Sequence, residues 1–106
     1  MTIEQIDVVD FISIDEKSNE VVLSISDHLE WEGNDEHLLL FQEKLNKYLA
    51  FIESGEILES YPKAEGKNVL ISLVCKFPLN EKAKKVFDSA VSIVDGAGFR
   101  LMFQQM

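Results

Sequence analysis

The chain has 106 residues, 46% hydrophobic and 27% charged, with 19 acidic side chains against 10 basic ones for a formal charge of −9. That length suits one domain around one core, expected to span residues 1–106, and the composition excludes a disordered segment. The negative balance repels phosphate backbones and anionic lipid, so the expected partners include no nucleic acid and no membrane.

One cysteine makes no intrachain disulfide, and two prolines with five glycines leave no linker. The opening MTIEQIDVVDF lacks the basic-then-apolar order of a secretory signal. No apolar run approaches the ~20 residues of a membrane span. The expected compartment is the cytoplasm.

Taken in chain order, Val8 to Asp15 and Val21 to Asp27 are β-branched-rich runs separated by the polar spacer Glu16 to Glu20, a hairpin signal. In the second run Val21, Leu23 and Ile25 alternate with Val22, Ser24 and Ser26, which predicts a half-buried strand. From Asp35 to Ser54, apolar residues recur at three- and four-residue steps: Leu38, Phe41, Leu45, Tyr48, Leu49 and Ile52. This stripe predicts a helix with Asn34 as its N-cap, Asp35 and Glu36 at the positive end of its dipole, and Gly55 as its stop.

Glu56 to Tyr61, ended by Pro62, and Val69 to Phe77 read as a second hairpin around a turn-like stretch. Asn80 caps a second helix through about Asp95, with Ala83, Val86, Phe87, Ala90 and Val94 inward, and Gly96-Ala97-Gly98 ends it. Phe99 to Gln104 is the last strand. The expected order is ββαββαβ, the ferredoxin-like split unit with one strand in front. The expected fold class is α+β: a two-layer sandwich of a mostly antiparallel sheet with two helices on one face.

The stretches VVLSISDHLEW, HLLLFQEKLNKYLAFIESGEILESYP, GKNVLISLVCKF and GAGF together resemble a small family of uncharacterised bacterial proteins, a domain of unknown function. The likeness covers most of the chain and reproduces the order of elements. It implies a small bacterial cytoplasmic protein and brings no catalytic motif and no functional residues with it.

One segment concentrates potential chemistry. SDHLEWEGNDEH, residues 26–37, holds both histidines, five carboxylates and the only tryptophan. A metal site built from His28, His37, Asp27 and Glu30 is the sharp alternative, since imidazole and carboxylate are suitable ligands. The two histidines are nine apart, across a strand end, a loop and a helix start, and match no compact ligand signature. The plainer reading is a polar ramp into a helix, with Asp27 ending a strand and Trp31 folded over the core edge with its ring NH near solvent. Cys75, flanked by apolar residues, reads as buried core rather than nucleophile. No Gly-x-Ser-x-Gly elbow is present, and Gly96-Ala97-Gly98 follows a helix rather than opening one. No catalytic residue, cofactor or metal is therefore expected.

Apolar residues outside the stripes are the remaining clue. Val9, Phe11, Leu40, Phe51, Leu70 and Val74 are candidates for a protein interface, because a contiguous apolar patch marks an interaction surface. The leading expectation is a non-enzymatic, immunity- or inhibitor-like module whose acidic surface meets a basic protein, or which pairs with itself as a homodimer. The alternatives are a metal-dependent enzyme or small-ligand binder at the His28/His37 region, and a structural subunit of a larger assembly.

Overall fold

The computed structural model describes residues 11–31 and 36–105. Strand β1 (Phe11–Asp15) turns into β2 (Glu20–Asp27); helices α1 (Glu36–Glu53) and α2 (Glu56–Ser60) follow, then a 3-10 turn (Pro62–Ala64). Strand β3 (Asn68–Cys75), helix α3 (Glu81–Gly96) and strand β4 (Arg100–Gln105) complete the order. Val8 and Val9 of the expected first strand, and Asn34 and Asp35 of the expected helix start, lie outside the described residues.

The first hairpin forms as its spacer predicts. Asp15 stands opposite Glu20, and Asp15 Oδ1 accepts from the backbone N–H of Lys17 at 3.0 Å and of Ser18 at 3.5 Å. The two long helices also follow their stripes. Leu38, Phe41, Leu45 and Tyr48 of α1 and Ala83, Ala90 and Val94 of α3 are buried, while Leu49, Ile52, Val86 and Phe87 pack half-buried against the same core. Asn80 Oδ1 accepts from Ala83 N–H at 2.8 Å as the expected N-cap. Gly55, at φ +86°, sits where the chain leaves α1, a conformation that carries no penalty without a Cβ.

The segment after Gly55 departs from expectation. Glu56 to Ser60 is a helix, not a strand. Among these residues only Ile57 is β-branched and only Ile57 is buried, so no alternating face exists to hold the run in a sheet. Leu58 N–H donates to Gly55 O at 3.0 Å and Tyr61 N–H to Ile57 O at 2.7 Å, closing the short helix before Pro62.

That change alters the sheet. Its strand order is β1-β2-β3-β4, with β1 antiparallel to β2 but β2–β3 and β3–β4 parallel. The expected mostly antiparallel sheet and ββαββαβ order are replaced by a mixed sheet and the order ββααβαβ. The reason is geometric: without a partner strand at 56–61, β2 reaches β3 through a helical crossover, and a crossover returns the chain in the same direction. The α+β class remains, with four strands and three helices among the described residues.

The core lies on one sheet face. Val21, Leu23 and Ile25 of β2 and Ile71, Leu73 and Cys75 of β3 are sealed against Phe41, Tyr48, Ala90 and Val94. Tyr48 Oη–H donates to the Ser24 carbonyl at 2.6 Å, tying α1 to β2. On the other face, the register aligns Phe11 with Ser24, Ser72 and Met102, and Val22 with Leu70. Among the described residues no helix is long and apolar enough to cross a membrane.

Candidate functional site

Strands β2 and β3 end in register, Asp27 beside Cys75, and Lys76 N–H extends the ladder to Asp27 O at 2.9 Å. Asp27 and Cys75 are in phase with Ile25 and Leu73, so both side chains turn toward the helical layer. There Asp27 is completely buried, as is Cys75, and His37 in the first turn of α1 is 5% exposed. The polar segment 26–37 is therefore more than a ramp: it folds its strand end and its helix start onto each other.

Every acceptor and donor in this cluster is used. Asp27 Oδ1 takes the backbone N–H of Leu29 at 3.0 Å. Asp27 Oδ2 lies 2.5 Å from His37 Nε2 and 3.9 Å from Cys75 Sγ. His37 Nδ1 lies 3.0 Å from the Glu30 carbonyl oxygen. A carbonyl oxygen only accepts, so Nδ1 carries a hydrogen, and the Nε2–Oδ2 contact holds one proton between imidazole and carboxyl. Both ring nitrogens are thereby engaged in hydrogen bonds.

Trp31 closes the site. Its indole stacks on the His37 ring at 3.6 Å between centroids and 9° between planes. Asn80, while capping α3, donates its Nδ2–H to the Trp31 carbonyl at 3.0 Å. The expectation of a solvated indole NH is overturned: Trp31 Nε1 is buried and has no hydrogen-bond partner among the described residues. The ring lies flat over His37, and this pose takes its N–H inward with it.

Of the candidate ligands, the structure brings together Asp27 and His37 only. Glu30 contributes its carbonyl while its side chain is exposed, and His28 is exposed. Among the described residues no three His, Cys, Asp or Glu side chains group as a cation site. Burial, then the charge and hydrogen bond of Asp27, push the Cys75 thiol up to about 12. It stays protonated near neutrality, which is the opposite of what a nucleophilic thiolate needs.

Two features escaped the sequence. Cys75 touching Asp27 depends on the strand register, and Lys44, which is not among the apolar residues of the helix stripe, is wholly buried with its Nζ 5.9 Å from the Tyr48 ring centroid. Its spacing from Phe41 and Tyr48 was a signal, since residues three and four apart share a helix face. Among the interface candidates, Phe11 is 61% exposed, Leu70 is 9% exposed, Val74 is half-buried, and Leu40 and Phe51 pack half-buried against the core. Val9 lies outside the described residues.

In parallel sheets ligands are bound outside the carboxyl ends of the strands. Here that end is closed by an aromatic lid over a buried acid–imidazole pair, which defines a compact α+β domain whose strand ends are knotted to its helix starts. The chain belongs to a family of unknown function, DUF6572, which matches residues 1–106. No curated protein and no solved structure matches it.

Proposed function

We propose that this protein acts by binding another protein, its acidic exterior meeting a basic partner in an immunity- or inhibitor-like role within the bacterial cytoplasm. The observation that carries the reading is a division of labour among its polar groups. Asp27, His37 and Cys75, the groups with the most chemical capability, are satisfied internally and shut away, while acids crowd the outside.

The crowding is sharpest at the corner between α1 and α2. Helix α1 has no basic residue in its last turn and ends on Glu53; α2 carries Glu56 and Glu59, all exposed, around the exposed Leu58. Of these, Glu53 stands at the negative end of the α1 dipole, where an acid is unfavourable by a few tenths of a kcal/mol or more, while Glu56 and Glu59 occupy the first turn of α2, where acids are favoured. Together they make a compact acidic patch that a basic partner would neutralise.

The test is a pull-down from lysate at low and high salt, with wild type and with Glu56→Lys/Glu59→Lys. The expected result is a basic partner captured at low salt, weakened at high salt, and lost with the double variant. Absence of any partner under both conditions, or a partner indifferent to the charge reversal, removes the reading.

A further inference from the structure

At the amino end of the parallel strands, opposite the closed acid–imidazole pair, lies a cavity of about 370 Å³. Glu20, Asn68 and Arg100, the first residues of β2, β3 and β4, line it together with Asp95 from the last turn of α3. Val69, which is buried, and Phe99, half-buried, give it an apolar wall. Small-ligand sites have volumes of about 300–1,000 Å³ and join apolar walls to a few placed polar groups.

The charges in this cavity narrow the ligand. Arg100 reaches across β3, and its Nη1–H donates to Glu20 Oε2 at 3.0 Å. Glu20 is 7% exposed, so a buried carboxylate fixes the guanidinium in place. That contact uses Nη1 alone. The Nε–H and Nη2–H edge has no partner among the described residues, and such an edge takes a carboxylate through two parallel hydrogen bonds. Asp95 is exposed, has no partner among the described residues, and stands at the negative end of the α3 dipole with no base in that turn. An acid there is unfavourable to the helix, whereas a cation gains from both the carboxylate and the dipole. The adjoining backbone adds no donor, because the N–H groups of Ala97, Gly98 and Phe99 all return to α3 carbonyls at 3.0–3.2 Å.

A bare anion would meet Asp95 and the field of a chain with net charge −9, and a bare cation would meet Arg100 and leave its open edge unused. A small molecule carrying both charges uses both groups and is not repelled as a whole. We propose that this cavity binds a free α-amino acid with an aliphatic side chain: its carboxylate on the open edge of Arg100, its ammonium at Asp95 and its side chain against Val69 and Phe99. Glu20 is a positioning residue that holds Arg100 for this contact. The cavity is separate from the acidic α1–α2 corner and is tested on the isolated protein, so its failure leaves the partner-binding reading untouched.

The experiment is titration of the full chain with L-leucine, followed by amide chemical shifts in two-dimensional NMR. Saturable shifts are expected at Asn68, Val69, Phe99 and Arg100. Leucine amide, which lacks the carboxylate, and N-acetylleucine, which lacks the ammonium, should each bind at least about tenfold more weakly, as loss of a hydrogen-bonded charge entails. Arg100→Ala should weaken leucine at least about tenfold while leaving leucine amide no weaker than before. Asp95→Asn should weaken leucine and spare N-acetylleucine. Both positions are exposed, so the circular dichroism of each variant should match wild type. No saturable shift into the millimolar range, leucine amide binding as tightly as leucine, or undiminished binding of leucine to Arg100→Ala overturns the proposal.

Discussion

At the carboxyl end of β2, Asp27 meets His37 with side chains 0% and 6% exposed, whereas at its amino end Glu20 meets Arg100 at 3.0 Å with side chains 9% and 64% exposed. Both contacts join an acid to a cationic or ionisable nitrogen across the sheet's own framework. Their surroundings make them different objects. The first is surrounded by further ties: Leu29 N–H and Cys75 on the carboxyl, the Glu30 carbonyl and the Trp31 ring on the imidazole. The second is an arginine that water can reach. Removing one member of the first pair strands a polar group where nothing replaces its partner, while at the second Glu20 is buried but water reaches the arginine side and can take the lost partner's place.

The largest expected effect follows directly. Asp27→Ala should lower unfolding free energy by about 3–5 kcal/mol in urea titration, because His37 would be left buried without its acceptor. Asp27→Leu combined with His37→Leu should cost less than the sum of the single losses, since neither polar group then remains to be satisfied. The sole tryptophan reports on the site, so His37→Leu should change its emission by removing the stacked ring. Equal and additive losses for the single variants would reduce this cluster to ordinary packing.

The same cluster predicts an alkaline limit. The Cys75 thiol is raised in the fold from 9.0 to about 12, so the folded state keeps its proton where the unfolded chain has lost it. Stability from this group is thus fully present below about pH 9 and falls as pH rises toward about 12. Cys75→Val should flatten that decline in midpoint-against-pH measurements. An unchanged slope would assign the decline to other groups.

Asn80→Ala should cost about 1–2 kcal/mol, because it removes both the α3 cap and the tether on the Trp31 carbonyl. The smallest effect belongs to the other end of the sheet. Arg100→Ala should cost less than about 1 kcal/mol, and salt should diminish even that. A loss at Arg100 approaching that at Asp27 would erase the distinction between the two ends.

The periodic parts of this chain were readable before any fold existed. The stripe from Leu38 to Ile52, the alternation Val21-Leu23-Ile25, the turn at Glu16–Glu20 and the cap at Asn80 all appear where their local patterns put them. Each depends on neighbours within a few residues, and helix and strand periods are properties of the backbone itself. The short segment Glu56–Ser60 was not readable, since five residues hold too little pattern to separate a helix turn from a strand. That one segment decides whether β2 reaches β3 through a hairpin or a crossover, and so the direction of the pairings beyond β2.

What tertiary structure alone decided is who meets whom. Asp27, Glu30, Trp31, His37 and Cys75 converge because β2 and β3 end in register while α1 begins above them. No local spacing encodes a contact between residues 27 and 75. By itself the sequence determined the long periodic elements, their inward faces and an abundance of acids. Direction in the sheet, the sealing of Lys44 and the closed pair under Trp31 arose from packing, where burial removes water and a polar group must take whichever partner the neighbouring element supplies.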